Sequence, residues 1–184
     1  PSGSTTEQQR DPCRDPQGTE GGGDAQGVNG MMDKQMAAES VEAGVVEPLQ
    51  GEGGLVGPAA GFLTTLAQWG GENGVVCVAD EVQSGFCRTG DWFACDSEGV
   101  VPDIITTAKG IAGGMPLAGV TGRAELMDAV HTGGLCGTYG GNPVACAAAL
   151  GAIEFMQTED LGAAEHHFDS VMRPTPASPS ETFP

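Results

Sequence analysis

The sequence predicts an α/β domain built around a mainly parallel β-sheet. Three observations predict it. Short apolar runs alternate with stretches of helical periodicity between residues 41 and 168. One of those runs, "GVVCVADE", is a continuous apolar segment of the kind that a parallel sheet buries on both faces. Asn142-Pro143 joins a helix N-cap to a proline at the first helical position.

Taken in order, "AGVVEPL" is a short strand that ends at Glu47-Pro48. Pro58 then opens a helix with Phe62, Leu66 and Trp69 on one face. "GVVCVADE" is the next strand and ends at Asp80 and Glu81. "PDIITTAK" is a further strand, closing at Lys109, and "PLAGVTG" is another. "RAELMDAV" reads as a brief helix. The helix after Asn142 carries Cys146, Ala149, Leu150 and Ile153 at helical spacing. Residues 1–40 are rich in Gly, Ser, Gln, Pro and Asp and carry too little large apolar side chain to offset the entropy of ordering, so disorder is expected there. Residues 169–184, which include "RPTPASPSETFP" with its four prolines, read as a disordered tail.

Composition excludes several function classes. Seven basic against 25 acidic residues give a net charge of −18 over 184 residues, which argues against nucleic acid and against anionic membrane surfaces as partners. No apolar run reaches the length of a membrane span. The six cysteines include no C-x-x-C pair, which argues against a zinc site. Cys77 in a strand and Cys146 among alanines read as small buried apolar residues. With no signal-peptide pattern and no disulfide framework, reduced thiols and a cytoplasmic location are expected.

In parallel sheets, ligands bind beyond the carboxyl ends of the strands. That rule selects Glu47, the Asp80-Glu81 pair and Lys109, which all fall at strand ends. Lys109 is one of only two lysines and has no acidic neighbour in sequence. An apolar, desolvated setting would favour its neutral amine, the form that attacks a carbonyl. A lysine bonded to an aldehyde cofactor needs no counter-ion, and an aspartate on a neighbouring strand could hold the ring proton of pyridoxal phosphate. The alternatives are a solvated loop lysine at 109 and a helix-capping aspartate at 80.

"VVEPLQGEGG", "ADEVQSGFCRTG", "PDIITTAKGIAGGMPLAGVTGRAELMDAV" and "GTYGGNPVACAAAL" together resemble the class III pyridoxal-phosphate aminotransferases, and look most like the 4-aminobutyrate aminotransferases. The resemblance runs from about Glu42 to about His167. It implies part of the large, cofactor-binding domain of the type I transferase fold over residues 41–168, flanked by segments outside the family pattern. It implies Lys109 as the lysine that bonds to the cofactor aldehyde and as the catalytic base. Asp80 matches the partner of the pyridine nitrogen, Val82 the apolar residue under the ring, and Gln83 the residue near its phenolic oxygen. Thr138 matches the threonine that holds the phosphate of the neighbouring subunit's cofactor, and so implies a homodimer. A hydroxyl and glycine amides just before a helix also suit an anion; a plain helix cap is the alternative. Glu52 matches a glutamate that pairs with a substrate-binding arginine, and Glu47 another glutamate of the substrate pocket; a strand-end carboxylate facing water is the alternative for Glu47. Arg88 matches a structural position.

The activity so implied is ping-pong amino transfer. The amino donor is 4-aminobutyrate and the acceptor 2-oxoglutarate, giving succinate semialdehyde and glutamate. Ornithine, acetylornithine and other ω-amine aminotransferases share the lysine and the aspartate. The family's phosphate loop and ring-stacking aromatic have no match in residues 1–40, and its substrate-carboxylate arginine is not matched by Arg173. A fragment is therefore expected, with apolar sheet faces and an open edge strand exposed. An inactive piece serving only interaction or structure is the alternative to an enzyme.

Overall fold

The computed structural model describes residues 41–134 and 140–172. Four strands form one sheet in the order β1-β2-β3-β4: β1 Ala43–Val46, β2 Val76–Asp80, β3 Ile104–Thr107 and β4 Gly119–Gly122. The first three run parallel, and β4 pairs antiparallel to β3 at the edge. Val45 stands opposite Val78, and Val78 opposite Ile104, so the apolar runs lie in register. The α/β architecture with a mainly parallel sheet is as the sequence predicts.

Helix α1, Phe62–Asn73, crosses from β1 to β2. It starts after the expected Pro58, because Phe62 N–H donates to Ala59 C=O across a turn and Gly61 takes a left-handed conformation. Glycine has no side chain to cap the helix, so Glu98 does it from elsewhere. Its carboxylate accepts from Gly61 N–H (3.1 Å), Thr64 N–H (3.0 Å) and Thr64 Oγ1 (3.0 Å). The helix buries Leu63 and Trp69. Leu63 packs with Ala79, Cys95 and Val100, and with the partly buried Val46, Phe62, Ala67 and Ile105. Sequestering a leucine of this kind contributes about 2 kcal/mol. A 3-10 turn at Ala94–Glu98 supplies Cys95 to this core and Glu98 to the cap.

The far rim of the sheet is held by Asp103. Its Oδ2 accepts from Cys77 N–H at 2.7 Å and its Oδ1 pairs with Arg123 at 3.0 Å. Arg123 precedes the short helix α2, Ala124–Met127.

Helix α3, Pro143–Thr158, begins as expected: Asn142 Oδ1 accepts from Val144 N–H at 3.0 Å, and Pro143 opens the helix. Asn142→Ala removes that cap and is expected to cost about 1 kcal/mol, read as a lower unfolding midpoint in denaturant. The buried face differs from expectation. Ala145 and Ala149 are buried, with Ala148, Ala152, Ile153 and Met156 half-buried, whereas Cys146 and Leu150 are exposed. Cys146 lies one residue, about 100°, around the helix from Ala145, on the outer side. The alanine face packs on a second 3-10 turn, Lys109–Ala112, which follows β3.

Two further readings are corrected. The β2 run is not fully buried: Ala79 is buried, but Val76, Cys77 and Val78 are half-buried. Helix α4, Leu161–Met172, continues past the tail boundary expected at 168. Residues 1–40, residues 173–184 and Thr138 lie outside the described residues. Exposed apolar side chains occur on the edge strand and on the outer side of α3; Val45 is 71% exposed and Leu150 70%.

Candidate active site

The carboxyl ends of β1, β2 and β3 meet through side chains. β3 ends at Thr107, and Ala108 leads into the turn headed by Lys109. Lys109 has a φ of 48°, a left-handed conformation that costs an L-residue free energy. Its ε-amine donates to Gln83 Oε1. Contrary to the desolvated setting expected, Lys109 is exposed. The turn stands beyond the end of β3, and within it Ala112 is buried whereas Lys109 and Gly110 are exposed.

Asp80, the last residue of β2, lies opposite Thr106 of β3. Its Oδ1 accepts from Thr106 Oγ1 at 3.3 Å and from Val82 N–H at 3.1 Å. Oδ2 accepts no hydrogen bond among the described residues. One oxygen is thus held while the other is left for a donor from outside. Val82 is half-buried and Gln83 exposed, in the turn that follows.

The β1 end arrives by a small hairpin in which Gln50 and Val56 exchange backbone hydrogen bonds, both 3.1 Å. Glu47 Oε2 accepts from Gly51 N–H at 3.0 Å, which draws the hairpin back towards the strand. Gly51 then sits against Gln83: a Cβ there would lie 2.6 Å from Gln83 Cγ. Gly51→Ala must therefore displace Gln83, whose Cγ and Cβ would lie 2.6 and 3.3 Å from the new methyl, and so draw it off Lys109. A weakening of cofactor binding of up to about tenfold is expected, with a lowered melting temperature, read by spectrophotometric titration with pyridoxal phosphate and thermal unfolding. Glu52, in the same hairpin, is exposed and makes no hydrogen bond or ion pair among the described residues. Lys109, Gln83, Asp80, Gly51 and Glu47 are thus linked, while Glu52 is not.

Reading the sequence alone did not assign a role to Glu81, Thr106 or Gly51. Glu81 is 1% exposed. Its Oε2 accepts from Ser84 Oγ at 2.5 Å and its Oε1 from Cys95 N–H at 2.9 Å. The signal was present: two successive acids at a strand end point to opposite faces, so one of them must turn inward.

Burial and, after it, the Glu81 carboxylate push the Cys95 thiol up to about 12. Burial also pushes up the thiols of Cys77 and Cys87. At pH 8, thiol reagents are expected to label the exposed Cys146 well before Cys95, as a peptide mass map would show. Between the unfolded thiol's value of 9.0 and about 12, only the unfolded Cys95 ionises, so its contribution to stability falls as pH rises through that window.

A cavity of about 350 Å³ opens elsewhere, beside Pro48, Leu63, Arg88, Thr89, Glu98 and His166, and contains neither Asp80 nor Lys109.

The residues at the strand ends fit pyridoxal phosphate. They offer an accessible primary amine, a carboxylate with one oxygen unclaimed among the described residues, an apolar Val82 and a carboxamide that already contacts the amine.

Residues 11–173 match the family model described as aminotransferase class-III, a match that begins upstream of the stretch carrying the resemblance in sequence. Among curated relatives, the chain is 56% identical over 137 residues to a 4-aminobutyrate aminotransferase of Mycobacterium leprae (strain TN). That alignment covers 74% of this chain and 30% of the relative, so the chain spans under a third of that relative's length. Among solved structures, an acetylornithine aminotransferase from Elizabethkingia anophelis matches with a TM-score of 0.76 at 36% identity, over 82% of this chain and 37% of that one. The ornithine aminotransferase of Toxoplasma gondii, described with partial occupancy of PLP at its active site, matches with a TM-score of 0.72 at 33% identity, over 85% of this chain and 37% of that one.

Proposed function

Because the chain belongs to the class-III aminotransferases, we propose that the complete protein moves the amino group of 4-aminobutyrate to 2-oxoglutarate, releasing succinate semialdehyde and glutamate. The observation that carries this reading is the meeting of Lys109 and Gln83 at the ends of neighbouring parallel strands, beside an aspartate with an unclaimed oxygen. Pyridoxal phosphate is the cofactor of this family and, when bound, supplies an aldehyde that bonds amines and a ring that accepts electrons from the adjoining carbon.

The chain's own residues do the rest. Lys109 would hold the cofactor through its ε-amine and, when that amine is free, would serve as the base for the proton on the carbon bearing the substrate amine. Asp80 would hold the proton of the ring nitrogen, with Thr106 and Val82 N–H fixing Oδ1 and hence the plane of the carboxylate. Val82 gives the ring apolar surface. Gln83 orients the amine of Lys109 and is itself seated by Gly51. Glu47 and Glu52 shape the substrate end, and Thr138 holds a phosphate across a homodimer interface. Residues 41–172 form part of the cofactor-binding large domain, and the protein works in the cytoplasm. Among the described residues, no helix is long and apolar enough to cross a membrane.

The choice of 4-aminobutyrate rests on the higher identity to the Mycobacterium leprae enzyme than to the acetylornithine and ornithine aminotransferases. Incubation with pyridoxal phosphate, borohydride reduction and peptide mapping is expected to place a pyridoxyl group on Lys109. A folded protein with no such group there contradicts the reading. An amine panel on the complete protein is expected to rank 4-aminobutyrate above ornithine and acetylornithine; the reverse order reassigns the donor.

A further inference from the structure

Glu81 has no part in the steps above, yet it is the most completely enclosed charged side chain among the described residues that line the strand ends. It is tied at four points. Its N–H donates to Thr106 C=O at 3.0 Å, continuing the β2–β3 ladder. Its C=O accepts from Gly85 N–H at 2.9 Å, closing residues 81–85 into one turn. Its two carboxylate oxygens take Ser84 Oγ within that turn and Cys95 N–H from the 3-10 turn across the core. Gly85 lets the turn close, because a Cβ there would lie 2.8 Å from Glu81 C=O. Val82 N–H, which fixes Asp80, and Gln83, which meets Lys109, both project from this turn.

The geometry points to Glu81 as a positioning residue: it pins the 81–85 turn to the Ala94–Glu98 turn and so sets Asp80 and Gln83 for the cofactor. This rests on the functional reading above. A carboxylate buried without contributing to the site would be a liability, since apolar residues of the same volume fill a core at lower cost. Here both oxygens are satisfied, and the satisfied donors belong to the two segments that must stay in register.

The test compares Glu81→Gln, Glu81→Met and Ser84→Ala in the full chain by cofactor titration and by hydrogen exchange without cofactor. Glutamine can still accept from Cys95 N–H and donate to Ser84 Oγ, so Glu81→Gln is expected to keep the cofactor Kd within about threefold of the parent. Glu81→Met loses both bonds and is expected to raise the Kd at least about tenfold. Its amides at Val82, Gly85 and Cys95 should exchange faster while those of Ile105 and Thr107 in β3 do not. A parental Kd in Glu81→Met, or equal acceleration in β3, overturns the proposal. If Glu81→Met does not fold, Ser84→Ala decides: a raised Kd at unchanged melting temperature supports the role, and a parental Kd overturns it. Failure of the parent chain to bind cofactor overturns the functional reading and, with it, the cofactor role of Glu81, whereas the exchange pattern alone reports on the turn.

Discussion

Replacing Lys109 with glycine is expected to abolish amino transfer while leaving the protein as stable as before, or more stable by up to about 1 kcal/mol. The two effects have separate origins. Lys109 sits at a φ of 48°, where glycine suffers no steric penalty, although glycine also brings a more disordered unfolded chain. In the function proposed above, loss of the amine removes both the anchor for the cofactor and the base that moves the proton. A positioned base alone is worth roughly 10²–10⁴ in rate, and the anchor adds to that. Steady-state turnover of the complete protein, the borohydride adduct and thermal unfolding together check the prediction. A glycine variant that keeps measurable turnover within tenfold of the parent contradicts the role given to Lys109.

Asp80→Asn is expected to lower turnover by roughly 10²–10³, the usual cost of losing one preorganised electrostatic partner. Asparagine keeps the shape and can still accept from Thr106 Oγ1 and Val82 N–H through Oδ1. What it loses is the charge on the unclaimed oxygen, and it places an N–H donor where an acceptor is required. The substitution therefore separates electrostatics from structure: melting temperature should hold while the visible spectrum of the bound cofactor shifts and turnover falls. An Asp80→Asn protein with the parent's spectrum and rate would remove Asp80 from the site.

Much of this was legible in the residues. Parallel-sheet logic brings Glu47, Asp80 and Lys109 to one rim, because apolar runs that end in polar groups mark strand ends. The Asn142-Pro143 helix start was equally plain, since its cap is local. What escaped was non-local. Glu98 caps α1 from beyond the next strand, a partnership that no spacing reveals, and so the sequence points to Pro58 while the helix starts at Phe62. The buried face of α3 was misread because alanine-rich periodicity offers several equivalent stripes, and only the Lys109–Ala112 turn selects one. The strand-end rule selects Glu81 together with Asp80, but sequence alone does not show that its partners are Ser84 and Cys95 N–H. The exposure of Lys109 contradicts the apolar enclosure expected of it, since small neighbours in sequence do not make an enclosure unless other segments close over them.

The sheet divides its labour between two rims. Asp103, Arg123 and the Cys77 amide knit the lower rim, where β2 and β3 begin and β4 ends, and none of them contacts the reactive residues of the upper rim. Substitutions confined to the lower rim could thus harden the scaffold against heat without retuning chemistry, and hairpin insertions on the upper rim could redirect substrate choice without unravelling the ladder. An engineer working on this chain would have two nearly independent dials.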